Sequence, residues 1–315
     1  MLRIRSPRLR RGRRRNKNKS VEIKLRDSDL VGTFRTPKGG GPFPGVLALG
    51  GSDGGTPEYF LNLCVPEGFA CLALAYWGTS DTQSTMVEIP LERIERGLRW
   101  LLSRDDVVAE NGRAAVVGAS RGGELALLLA ATFPSLVGPV VGYTPSGVVW
   151  VGLDFTQPAR EARSTWSYRG QPFPYLPFPP NAAPAHSERG LSMLPLFEAA
   201  LDDRDAAERA AIATERAHGP LLLVSGGDDR VWAAGRMCRM IVDRMSRHGR
   251  ANDVKRLHYP EAGHMLFPYV RPSDAMFPAY SIDLGGTAAE NLRAHLAAWP
   301  QVVEHMRGSC QELAG

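Results

Sequence analysis

Cysteine is scarce, with four residues in 315 (Cys64, Cys71, Cys238 and Cys310). None forms a C-x-x-C pair, and no Cys/His cluster has zinc-site spacing, so no metal or organic cofactor is implied. A chain of this size has room for a core that needs no disulfide. Buried free thiols in a reducing, cytoplasmic setting are therefore the expectation. Also missing is any run of about 18 to 20 apolar residues, the length a membrane-spanning helix requires. Internal repeats are absent as well. The 43% hydrophobic and 23% charged content is that of an ordinary globular chain. The length suits one large domain better than two.

Acidic residues are absent from residues 1–19, which hold ten Lys/Arg. The overall formal charge of +5 therefore belongs to this tail, and the other 296 residues are mildly acidic. The tail has no apolar segment of the kind found in secretory signals, which argues against export. Like-charge blocks repel and stay unfolded, so a disordered extension is the first reading. Contact with nucleic acid or an anionic surface, and organelle targeting, are the other two. Beyond residue 20 no basic stripe with interleaved aromatics supports nucleic-acid binding.

From residue 20 a regular pattern begins. Alternation in VEIKL and LVGTFRTP, around Asp27-Ser28-Asp29, predicts a hairpin. Short continuous apolar runs (Gly45 to Leu49, FACLALAY, AAVVGAS, LLLVSGG and a last strand at 254–259) predict strands buried on both faces. Between them lie helical patterns near 57–67, at 88–103, in GGELALLLAATF, at 193–215, at 233–248 and at 287–306. Ile89, Leu91, Ile94, Leu98, Leu101 and Leu102 share one face of the 88–103 helix. Alternating strands and helices with short turns predict an α/β fold, a mostly parallel central sheet covered on both faces. Residues 150–185 break this rhythm and are rich in proline and aromatics. A stretch that long predicts a lid-like insertion, extending over 150–215, within a catalytic domain spanning 20–315.

Three segments carry chemistry. Gly118-Ala119-Ser120-Arg121-Gly122 matches G-x-S-x-G between a predicted strand and helix, where a sharp turn exposes the serine hydroxyl. An ordinary serine N-cap is the competing reading. The turn aims the backbone N–H of Arg121 toward an oxyanion formed on an attacked carbonyl. Asp228 and Asp229 end the LLLVSGG strand, at the sheet edge where open α/β sheets keep their sites. Asp229 fits the spacing from Gly226, with Asp228 as the alternative. His264 follows the last strand in the loop Tyr259 to His264. The order Ser, Asp, His along the chain is that of α/β-hydrolases. A neutral hydroxyl is a weak nucleophile; imidazole removes its proton, and the carboxylate fixes the imidazole tautomer. The loop GGSDGG lacks the Lys-Ser/Thr of a P-loop. Its place after an early strand suits a second oxyanion donor, assigned to Gly51 to within one residue of register. Glu124, in the first helical turn, is read as a structural acid.

With those residues in view, the chain resembles the C-terminal catalytic domain of acyl-CoA thioesterases and of bile acid-CoA:amino acid N-acyltransferase. The likeness runs over residues 43–270. Its matching stretches are PGVLALGGSDGGTPEYFLNLCVPEGFACLALAYWG, VVGASRGGELALLLA, SYRGQPFPYLPF, GPLLLVSGGDDRVW and RHGRANDVKRLHYPEAGHMLFPY. Dienelactone hydrolases are more distant relatives. The resemblance implies an α/β-hydrolase fold with Ser120, Asp229 and His264 in the triad positions. Two departures matter. Eukaryotic members carry an N-terminal β-sandwich domain, for which the roughly 40 residues before the core leave no room. The acyltransferase uses a cysteine nucleophile, and this chain has serine. An acyl-serine is less readily attacked by an amine, which favours water as acceptor over N-acyl transfer.

The leading expectation is hydrolysis of a small-molecule acyl-thioester, with acyl-CoA as the substrate class, through an acyl-Ser120 intermediate. A carboxylesterase on oxygen esters, an acyl-CoA-dependent acyltransferase and a non-catalytic binding protein are the alternatives. Thioester hydrolysis calls for an apolar acyl pocket, sought in Trp166, Tyr168, Phe173 and Tyr175, with Trp150, Phe155 and Phe178 nearby. Simple packing of those aromatics is the competing account.

Overall fold

The computed structural model describes residues 19–27, 30–109, 111–154, 162–267 and 282–308. The tail residues 1–18, Phe155 and Cys310 lie outside the described residues.

Eight strands make the body of the sheet: β1 (Glu22–Asp27), β2 (Leu30–Arg35), β3 (Phe43–Leu49), β4 (Ala70–Ala75), β5 (Ala114–Ala119), β6 (Val137–Tyr143), β7 (Leu221–Gly226) and β8 (Val254–Tyr259). Their spatial order is β1-β2-β4-β3-β5-β6-β7-β8, with a short strand Val107–Val108 beside the start of β3. The first hairpin joins antiparallel, and β2 runs antiparallel to β4. All pairings from β4 to β8 are parallel.

Every residue of β4, β5, β6 and β7 is buried, which explains why these strands read as continuous apolar runs. Their side chains alternate between two cores. Leu47, Leu49, Leu72, Leu74, Val116 and Leu223 face helices α2 (Leu91–Leu102), α3 (Arg121–Thr132) and α6 (Ala234–Arg247). Val46, Ala48, Cys71, Val117, Leu222 and Val224 face α1 (Glu58–Cys64) and α7 (Ala288–Arg307). The predicted stripe of α2 is buried at Leu91, Ile94, Leu98 and Leu101. A capping box, Thr287 with Glu290, starts α7 where the pattern places it. Cys64, Cys71 and Cys238 are buried free thiols. Burial, followed by the neighbouring Cys64, holds the Cys71 thiol well above its ordinary pKa. Among the described residues no helix is long and apolar enough to cross a membrane.

The expected helical segment 193–215 is broken. It forms α4 (Leu194–Leu201), α5 (Arg204–Arg209) and a single 3-10 turn, Thr214–Arg216. Asp203 ends the first run because its side chain accepts the Ala206 N–H and caps the second. The aperiodic stretch before it holds only short pieces. Trp166–Tyr168 pairs with Ile89–Pro90 and with Gln171–Pro172, and Ala185–Ser187 pairs with Gly190–Ser192. This excursion between β6 and β7 shares a separate core with the start of α6, built on Val148, Trp150, Leu176, Phe197, Leu201 and, after β7, Trp232.

Candidate active site

The serine turn follows from what its glycines permit. Ser120 joins β5 to α3 at φ 55°, ψ −121°, a conformation that costs a non-glycine residue about 1–3 kcal/mol. A tight approach of three backbone segments holds it there. A Cβ on Gly118 would lie 2.0 Å from the Gly122 carbonyl oxygen, and a Cβ on Gly122 would lie 2.2 Å from that of Gly50. The Ser120 N–H donates to Tyr143 O at 2.9 Å, and its carbonyl accepts from the N–H groups of Gly123 and Glu124. The hydroxyl is left at the carboxyl end of the sheet.

Asp229 and His264 converge on it from the loops that follow β7 and β8. His264 Nε2 lies 3.0 Å from Ser120 Oγ, and His264 Nδ1 lies 2.9 Å from Asp229 Oδ2. Asp229 Oδ1 accepts the N–H groups of Val231 and Trp232, at 2.9 and 3.1 Å. The carboxylate therefore has each oxygen committed. Asp229 and His264 are 4% and 5% exposed, which shields their contact from water. The edge of the Trp232 ring meets the imidazole at a centroid distance of 6.0 Å. Asp228 turns the other way. It binds Arg230, Arg189 and the Gly286 N–H. The structure thus brings Asp229, and not its neighbour, to the histidine.

In the glycine-rich loop the Gly51 N–H donates to Asp53 Oδ1 at 2.9 Å, so it is not available as an oxyanion donor. The carbonyls of Gly50 and Gly51 are also engaged, by Tyr76 Oη at 2.6 Å and Trp77 Nε1 at 3.2 Å. The next N–H along, that of Ser52, has no acceptor among the described residues. The same is true of the Arg121 N–H, which as the first of α3 has no intrahelical partner. Ser52 is one residue on from Gly51, within the register expected for the loop donor. The sequence does not fix that register more closely, because the side chains that fix the loop come partly from residues 76 and 77.

Behind the serine lies a buried ion pair. Arg121 and Glu124, 2% and 0% exposed, meet at 3.0 Å. The guanidinium also donates to Thr165 Oγ1 and to Val151 O, and lies 5.8 Å from the Trp232 ring centre. Glu124 accepts the Trp150 N–H at 3.2 Å and Trp166 Nε1 at 2.7 Å. Burial raises the Glu124 pKa, against the pull of Arg121 and the two tryptophan donors. Glu124 is thus a structural acid that ties the nucleophile helix to the excursion.

Of the aromatics sought as an acyl-pocket wall, Trp166 has no exposed surface and packs on Tyr76. Tyr168 meets Phe133 edge-on, and Phe173 and Tyr175 pack against the same core. Trp150 and Phe178 stack in the core that the excursion shares with the start of α6. Each has a packing partner that accounts for its place. Trp232, which touches the histidine and lines up over Arg121, was not singled out from sequence; its position three residues after the acid is the one available signal.

Known proteins place this architecture. Residues 89–311 match the family described as BAAT / acyl-CoA thioester hydrolase C terminal. Human acyl-coenzyme A thioesterase 1 is 29% identical over 282 residues, covering 88% of this chain and 63% of that protein. Mouse bile acid-CoA:amino acid N-acyltransferase is 27% identical, over 90% of this chain and 64% of that one. The chain thus spans less than two thirds of the length of these relatives. The fold is shared with the carboxylesterase EstE1 from a metagenomic library, at TM-score 0.54, 15% identity and coverage of 93% and 90%. It is shared also with a dienelactone hydrolase-like promiscuous phosphotriesterase from metagenomic libraries, at 0.54, 14%, 92% and 98%. The fold is therefore that of the α/β-hydrolases, and with most of its length matched, the chain belongs to the BAAT / acyl-CoA thioester hydrolase C-terminal family.

Proposed function

We propose that this protein hydrolyses acyl-CoA thioesters through an acyl-Ser120 intermediate. The observation that carries the reading is the continuous hydrogen-bonded line from Ser120 Oγ through His264 to Asp229. In the first half-reaction Ser120 Oγ attacks the thioester carbonyl carbon while His264 Nε2 takes the hydroxyl proton. Asp229 accepts the Nδ1–H and stabilises the imidazolium. Negative charge gathers on the carbonyl oxygen, where the N–H groups of Arg121 and Ser52 receive it. The carbon–sulfur bond breaks, and the thiol leaves with the proton held on Nε2. Water then attacks the acyl-serine with His264 again as base, and the free acid departs.

The family membership and the thioesterase names among its relatives support the thioester as substrate class. Serine at position 120 supports water as the acceptor, since an oxygen ester resists aminolysis more than a thioester does. The test is intact-protein mass spectrometry after brief incubation with octanoyl-CoA and palmitoyl-CoA. A transient acyl adduct with CoA release is expected on the wild type, and neither on Ser120→Ala. CoA release by Ser120→Ala at the wild-type rate would sink the assignment of the nucleophile. Turnover of oxygen esters alone would replace the thioester reading with a carboxylesterase.

A further inference from the structure

Outside the triad, a group of basic side chains gathers where the edge strand β8 meets α6. Arg256 and His258 share one face of β8, two residues apart and opposite Leu223 and Ser225 of β7. Arg239, on α6, reaches the same place. A Cβ on Gly235, in the first turn of α6, would lie 3.4 Å from His258 Cε1 and 3.9 Å from Arg239 Nη1. Arg256 Nε and Nη2 are enclosed without any hydrogen-bond acceptor. Neither Arg239 nor Arg256 forms an ion pair among the described residues, and Asp243, one turn further along α6, pairs with neither. Arg256 is half-buried and Arg239 is exposed, whereas the buried Arg121 has Glu124 and the half-buried Arg244 has Glu215.

An enclosed guanidinium without an acceptor has lost hydration and received nothing for it, a condition that calls for a missing anion. The imidazole of His258, on an exposed residue, lies beside the same two arginines. Its Nδ1 is engaged with Ser225 Oγ at 3.0 Å, and burial together with the two arginines holds its pKa below the ordinary histidine value. Three nitrogen-bearing groups thus converge beside the open start of a helix, which adds the positive end of its dipole.

We propose that Arg239, Arg256 and His258 form a phosphate subsite, and that it takes the phosphorylated nucleotide end of the CoA thioester. The assignment to CoA rests on the proposed function; the anion site itself does not. Its place fits. Ser225 precedes Asp229 by four residues and His258 precedes His264 by six, so the cluster flanks the strands that deliver the acid and the base. Charge-assisted bonds from two guanidiniums to phosphate suit this geometry.

Two measurements test it on the full chain. Inorganic pyrophosphate is titrated into the wild type and into Arg239→Gln/Arg256→Gln while the His258 ring signals, assigned with His258→Asn, are followed by NMR. A saturable shift and a raised His258 pKa are expected in the wild type and not in the double variant. No saturable shift in the wild type would overturn the site and leave the charges as protection of an edge strand. Second, kcat/KM is compared for octanoyl-CoA and octanoyl-N-acetylcysteamine, which lacks the nucleotide. The preference for the CoA ester should fall roughly tenfold or more in the double variant. Pyrophosphate binding with an unchanged preference would overturn the assignment to CoA. Failure of both esters to react would sink the proposed function, while the pyrophosphate titration still decides the anion site.

Discussion

At the residue scale, two adjacent aspartates separate chemistry from structure. Asp229 has both oxygens committed to the site, whereas Asp228 is spent on Arg189, Arg230 and Gly286. Asp229→Asn should lower kcat by about 10⁴, as expected when the imidazole loses its tautomer-fixing partner. Asp228→Asn should leave turnover near that of the wild type, so steady-state kinetics of the pair is decisive. The loop donor gives a sharper contrast, because it is a backbone group. Ser52→Pro removes the N–H and should cost about 10²–10³ in kcat, while Ser52→Ala keeps it and should not. Equal loss in both variants would refute the donor. Ser120 and His264 were legible because their signals are local: a pentapeptide at a strand-to-helix turn, and a histidine just past a strand. The choice between Asp228 and Asp229 rested on spacing alone. The register of the oxyanion loop was not legible, since the direction of an N–H depends on Asp53, Tyr76 and Trp77 acting together.

At the scale of elements, the parallel strands declared themselves because burial on both faces leaves no polar positions to interrupt the run. The segment 193–215 did not, because helical periodicity continues across a cap that only geometry reveals. The excursion after β6 was legible as an interruption and no more. Its order comes from long-range partners, chiefly Glu124 and Arg121, that have no local signature. Trp166→Phe keeps the ring and removes the Nε1–H donor. A loss of about 1.5–3 kcal/mol in urea-induced unfolding is expected, the usual worth of a hydrogen bond to a charged group. A change within error would mean that Glu124 is neutral or satisfied otherwise. Gly122→Ala tests the serine turn from the other side. Its new methyl would meet the backbone oxygens of Gly50 and Leu49 at 2.2 and 2.4 Å. It should destabilise by about 1–3 kcal/mol and impair turnover as well, because α3 and the oxyanion loop must separate.

For the molecule as a whole, two buried or half-buried acids respond to pH with opposite sign. Glu215 is held at a pKa of about 2, first by its bond to Arg244, against an ordinary 4.5. Its contribution to stability is present above about pH 4.5 and is lost as pH falls toward 2. Glu124 has its pKa raised by burial, so its contribution is complete below 4.5 and fades as pH rises through its own higher value. Urea midpoints measured between pH 6 and pH 2 should therefore drop on the acid side less steeply in Glu215→Gln than in the wild type. An identical acid limb would remove Glu215 from the account. The buried Arg121–Glu124 pair has a wider meaning for how such a molecule can diversify. Strands carry the reactive groups, and the excursion packs against the helix that follows the serine. It supplies the acceptors and donors that make a charge pair tolerable one residue from the nucleophile. A transplanted excursion must bring its own equivalents, or the pair must be replaced along with it. The excursion and the reactive turn of this chain are coupled through one buried pair.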